Sequence, residues 1–119
     1  MENKKDDRYY LQKMLVYISY ILQYIKTIYE QNNTLKPNDQ NSDGVIYKFI
    51  QLREESSKLS SEFLENNYEI CRHVKLLNGF RNRLTHDYEN VSYSFFEEII
   101  NIDLPKLRQL IEEILEKNI

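Results

Sequence analysis

Leu11, Leu15, Ile18, Leu22, Ile25 and Tyr29 recur at steps of four and three, the spacing that stacks side chains on one face of an α-helix. Met14, Ile21 and Ile28 widen that stripe, so a helix over about Asp6 to Gln31 must bury more than one side. Three further segments repeat the pattern. The second is expected over about Gly44 to Glu65, capped by Asp43, with Val45, Ile46, Phe49, Ile50, Leu59 and Phe63 as its apolar positions. Its middle, Arg53 to Lys58, is polar on most faces, which predicts a solvated stretch or a polar groove. The third is expected over about Tyr68 to His86, capped by Asn66 or Asn67, with Ile70, Val74, Leu77, Phe80 and Leu84 facing inward. Gly79 inside it costs roughly 1 kcal/mol against Ala and permits the close approach of another backbone. The fourth starts at Ser92 or Ser94, where Ser94-Phe95-Phe96-Glu97 fits a capping box, and carries Ile100, Leu104, Leu107, Ile111 and Ile114. Pro105 predicts a kink near Asn101. A polar stretch from Asn32 to Gly44, with Pro37 in it, separates the first two helices.

Two glycines and two prolines in 119 residues argue against an all-β fold. The pattern predicts an all-α protein, a single domain over 1–119 built as an antiparallel four-helix bundle. Its wide apolar faces predict a two-fold homodimer. The N-terminus is charged with both signs, no apolar run approaches the roughly 20 residues of a membrane helix, and Cys71 is the only cysteine. These features exclude a disulfide framework and point to the cytoplasm. A net charge of −3 excludes a general nucleic-acid-coating role but leaves room for a local basic patch.

That patch exists. Ile70 to His86 holds both histidines, His73 and His86, with Arg72, Lys75, Arg81 and Arg83, and has no Asp or Glu. Such a segment attracts phosphate, and Arg72, Lys75 and Arg83 are its candidate RNA-binding cations. It ends in Arg81-Asn82-Arg83-Leu84-Thr85-His86-Asp87-Tyr88. RNA cleavage needs a base for the ribose 2′-hydroxyl, the role to which histidine titrating near neutrality is suited. The phosphorane gains negative charge that an arginine fork can hold. Arg81 and His86, supported by Asn82, form a minimal catalytic set without metal. On one helix Arg81 and His86 point about 140° apart, so either the arginine swings across or a second chain completes the site. Cys71 and His73 point to different faces, which argues against a metal site, and His73 is expected to be structural or exposed.

Gly79 to Tyr88 resembles the signature of HEPN-domain proteins, specifically the HepT-like toxin family: an Arg followed by a polar residue, a His after four intervening residues, and a Tyr two further on. Asp103-Leu104-Pro105-Lys106-Leu107 is similar to that family's last-helix stretch, and Asp7-Arg8 before a long helix is similar too. The resemblance implies a dimeric HEPN bundle with both motifs facing a shared groove. It also implies a metal-independent endoribonuclease toxin of a toxin–antitoxin pair of type II or VII kind, with no cofactor. Arg81 and His86 would be catalytic and Asn82 supporting. The implied partner is an MntA-like minimal nucleotidyltransferase antitoxin that transfers AMP to Tyr88, and the implied substrate is tRNA or mRNA. The second helix departs from the family in being more polar over Leu52 to Lys58, so no site residue is carried over from it. The alternative is a non-catalytic subunit that binds nucleotide or substrate beside a nucleotidyltransferase. The intact Arg–His pair favours the nuclease, and a plain assembly bundle leaves the gathered histidines and cations unexplained.

Overall fold

The computed structural model describes residues 6–36, 39–86 and 93–117, with backbone alone at Arg81, at 83–86 and at Tyr93. Every described element is helical: α1 (Asp7–Glu30), α2 (Gln40–Ser56), α3 (Ser61–Asn66), α4 (Tyr68–His86), α5 (Tyr93–Glu98), a π-helical turn (Ile99–Asp103) and α6 (Leu104–Lys117). The fold is all-α, as the periodicity predicts.

α1 starts where the Asp6 carboxylate accepts the Tyr9 N–H at 3.0 Å. It ends in a Schellman motif. Asn32 adopts φ 58°, Asn33 N–H bonds the Ile28 carbonyl, and Asn32 N–H bonds that of Tyr29. Leu11, Met14, Ile18, Ile21, Ile25 and Ile28 are its buried positions, and α2 is its principal neighbour. Lys48 lies over the Tyr17 and Tyr20 rings and Lys58 over Tyr10, so α2 descends as α1 ascends and the pair is antiparallel.

The second predicted helix is corrected at both ends. It starts at Gln40 because Asp39, rather than Asp43, caps it, accepting Ser42 N–H at 3.0 Å and Ser42 Oγ at 3.1 Å. Ser42 Oγ in turn accepts Lys36 N–H, which closes the loop back on α1. The helix stops at Ser56, and a separate short helix, α3, begins after Ser60. Asp7 causes the break: its two carboxylate oxygens each take a 2.7 Å hydrogen bond from Ser60, one from the backbone N–H and one from the hydroxyl. Ser60 Oγ then caps α3 through Phe63 N–H. The polar middle of α2 does line a polar contact, since Arg53 Nε donates to Asn78 Oδ1 of α4 at 2.7 Å.

α4 keeps its predicted limits, with Asn67 O accepting Cys71 N–H at its start. It packs against α2, α3 and α6. The aromatic centre joins three elements: Phe49 of α2 meets Phe80 and Phe96 edge-on at 5.7 and 5.3 Å, and Phe80 stacks on Phe96 at 4.9 Å. All three rings are buried.

The capping box at Ser94 does not form, and Ser92 lies outside the described residues. Ser94 sits inside α5, and Glu97 is engaged elsewhere: its Oε1 accepts Leu35 N–H and its Oε2 accepts the Tyr29 hydroxyl. Asn101 Nδ2 also donates to that hydroxyl, so a polar cluster ties the end of α1 to the fourth arm. The kink predicted at Asn101 takes the form of the π turn. Pro105 has no N–H to offer the Asn101 carbonyl, and the ladder widens so that Leu104 N–H bonds Ile99 O, five residues back. Arg8 Nη1 reaches Leu115 O and joins the first helix to the last.

Among the described residues, no backbone makes the close approach that Gly79 permits. A Cβ placed there meets nothing within 4 Å, so the glycine sits on open surface. Gly79→Ala is therefore expected to stabilise the protein by about 0.5–1 kcal/mol. Thermal melts of the two proteins check this, and a lower melting temperature for the variant would contradict it.

Candidate functional site

α4 runs without interruption through position 86, so helical register applies to the whole motif. Positions 72, 75, 79, 83 and 86 fall on one face, at steps of three and four. Position 81 falls on the opposite side of α4, with 77 and 74, one turn beyond the Arg53–Asn78 contact. Arg81 and His86 thus do not share a face of one α4. Of Arg81, Arg83 and His86 the structure describes the backbone alone, and Tyr88 lies outside the described residues. Asn82 is exposed on α4, and Arg72 and Lys75 are exposed two to three turns before it.

His73 meets the structural side of its expectation. It is a core residue, 6% exposed, with Nε2 buried and unbonded. Burial holds its pKa below the ordinary histidine value, against the charge of Asp103; Arg72 lowers it further, Glu69 raises it and Lys106 lowers it. The ring is therefore neutral at pH 7. Cys71 is half-buried and free. Among the described residues, no group of three His, Cys, Asp or Glu side chains could hold a metal ion.

Two shallow hollows flank the basic face of α4. One, about 480 Å3, lies between α4 and the π turn and is lined by Arg72, His73, Lys75, Leu76 and Asp103. The next, about 280 Å3, is lined by Lys75, Leu76, Gly79, Phe80 and Phe95. Lys75 and Leu76 belong to both, so the hollows adjoin, and the second lies nearer the motif. Sequence reasoning placed neither Asp103 beside α4 nor Arg53 against Asn78. Pro105 was the available signal for Asp103, because the π turn it induces brings Asp103 to the hollow. Nothing local signals the pairing of Arg53 with Asn78, which joins residues 25 apart in the chain.

The described helices form an all-α bundle in which α4 carries the motif through position 86. The family model described as "Ribonuclease HepT-like" matches residues 14–114, and the chain belongs to that family. It is also 28% identical over 106 residues to "Putative RNase TTE0752" of Caldanaerobacter subterraneus subsp. tengcongensis, a match covering 85% of this chain and 93% of the relative. No solved structure gives a significant match. Among the described residues, no helix is long and apolar enough to cross a membrane.

Proposed function

We propose that the protein is a metal-independent endoribonuclease, the toxin of a toxin–antitoxin pair, acting in the cytoplasm as a single-domain homodimer on tRNA or mRNA. Its membership of a ribonuclease family, in a chain whose motif helix bears an acid-free run of cations, carries this reading. His86 takes the proton of a ribose 2′-hydroxyl, O2′ bonds to phosphorus, and the P–O5′ bond breaks. A proton goes to the departing 5′ oxygen, leaving a 2′,3′-cyclic phosphate and a 5′-hydroxyl. Arg81 holds the phosphorane oxygens, Asn82 supports it, and Arg72, Lys75 and Arg83 bind flanking phosphates. The opposed register of positions 81 and 86 supports a site in which two copies of α4 face one groove, each chain supplying what the other's face lacks.

Control falls to an MntA-like nucleotidyltransferase antitoxin: the Tyr88 hydroxyl loses its proton and bonds to the α-phosphorus of ATP, the bond to the β-phosphate breaks and pyrophosphate leaves, and the AMP adds bulk and negative charge where the RNA phosphate must sit. Tyr88→Phe is expected to keep its cleavage activity after incubation with that partner and ATP, and to gain no AMP mass, while the parent protein gains it and falls silent. AMP on the Phe variant would refute the site. RNA ends other than cyclic phosphate and 5′-hydroxyl would refute the chemistry. Binding of nucleotide without cleavage by unmodified protein would favour the binding-subunit reading.

A further inference from the structure

The hollow between α4 and the π turn has a composition that phosphate binding alone does not explain. A patch that merely attracts a backbone needs cations. This one also holds a carboxylate, Asp103, and the side of a buried imidazole. The carboxylate is there for a backbone reason, since Pro105 forces the π turn that ends at Asp103. No side-chain hydrogen bond or ion pair joins Asp103, Arg72 or Lys75 to another described residue, although Asp103 and Arg72 both act on the His73 ring through their charge. Their side chains line an open hollow. His73, more than nine-tenths buried with an unbonded Nε2, forms part of the wall, and Leu76 adds an apolar surface.

We propose that this hollow is a guanine-selective subsite for an unpaired nucleotide of the RNA substrate, with Asp103 reading the base and Arg72 and Lys75 holding the adjacent phosphates. The proposal rests on the ribonuclease reading and names the substrate it prefers. Single-stranded RNA is read on the Watson–Crick edges of splayed bases. Of the four bases, only guanine offers two adjacent N–H donors there, N1–H and the 2-amino group. A carboxylate is the matching acceptor, since its two oxygens take parallel hydrogen bonds. Cytosine and adenine pair their amino group with a neighbouring acceptor that would face the second oxygen, and uracil sets its single N–H between two carbonyls. Leu76 presents apolar surface to the base, and His73, 6% exposed, adds only an edge of its ring. The adjoining hollow at Gly79 and Phe95 continues the track toward the motif. From position 75 to position 86 α4 rises about 16 Å, so the guanine lies a few nucleotides from the bond that is cut.

The test uses the full chain and fluorescently labelled single-stranded RNA made wholly of 2′-O-methyl nucleotides, which cannot be cleaved through O2′. One oligonucleotide carries a single guanine, and its twin carries inosine there, which lacks only the 2-amino group. Anisotropy is expected to show roughly tenfold or greater weakening for inosine, the loss of a hydrogen bond to a charged group. Asp103→Asn is expected to remove the preference, and Lys75→Ala to weaken both oligonucleotides alike. Equal affinity of the parent protein for the twins would overturn the proposal without recourse to any variant. So would a preference that survives in a helical Asp103→Asn protein. Cleavage of unmodified RNA is scored separately. A guanine preference without cleavage keeps the subsite and removes the nuclease; cleavage without preference does the reverse.

Discussion

His86→Ala is expected to lower RNA cleavage by about 10²–10⁴-fold, the usual contribution of a positioned general base. Alanine retains helix propensity, and α4 is anchored well before position 86 by Ile70, Val74, Leu77 and Phe80, all buried. Loss of activity should therefore come with unchanged helicity by circular dichroism. Arg81→Ala is expected to cost about 10²–10³-fold, as removal of a donor aimed at developing charge does. If the two-chain groove is right, mixing inactive His86→Ala with inactive Arg81→Ala restores part of the activity, because heterodimers regain one Arg and one His. Full activity in either variant alone would remove that residue from the mechanism.

Phe96→Ala is expected to be the most damaging single change to the fold, at about 3–5 kcal/mol. Phe96 is fully buried and touches both Phe49 and Phe80, so truncation leaves a cavity where α2, α4 and α5 meet and removes two ring contacts as well. For a chain of this size that is a fall of roughly 10–20 °C in melting temperature. Tyr68→Ala, at a residue 77% exposed, should change stability by less than about 0.5 kcal/mol and serves as the control. A Phe96→Ala protein that melts within a few degrees of the parent would show that the aromatic cluster does not hold the arms together.

Where periodicity is long and uninterrupted, sequence and structure agree. α1 and α4 fall at their predicted limits because the i, i+3 and i+4 stripes that mark them are the faces they bury. Disagreement arises where a distant residue decides a local outcome. Asp7 seizes Ser60, 53 residues away, and splits the second arm. Glu97 bonds Leu35 and Tyr29 instead of closing a capping box. Gln40 to Asp43 has the composition of a loop, yet it begins α2 because Asp39 and Ser42 form the cap. Pro105 signals a kink but not its π form, so the sequence shows Asp103 as part of a family-like stretch and not as a neighbour of α4. The motif is legible as a spacing, and the roughly 140° between positions 81 and 86 read from it holds because α4 continues through position 86.

Cleavage of total RNA in EDTA by the purified protein, beside His86→Ala, tests the central claim most directly, with intact mass showing that Tyr88 carries no AMP. Cutting by the parent protein and not by the variant is the predicted result. Whole RNA after incubation with unmodified parent protein, or equal cutting by both, would contradict it.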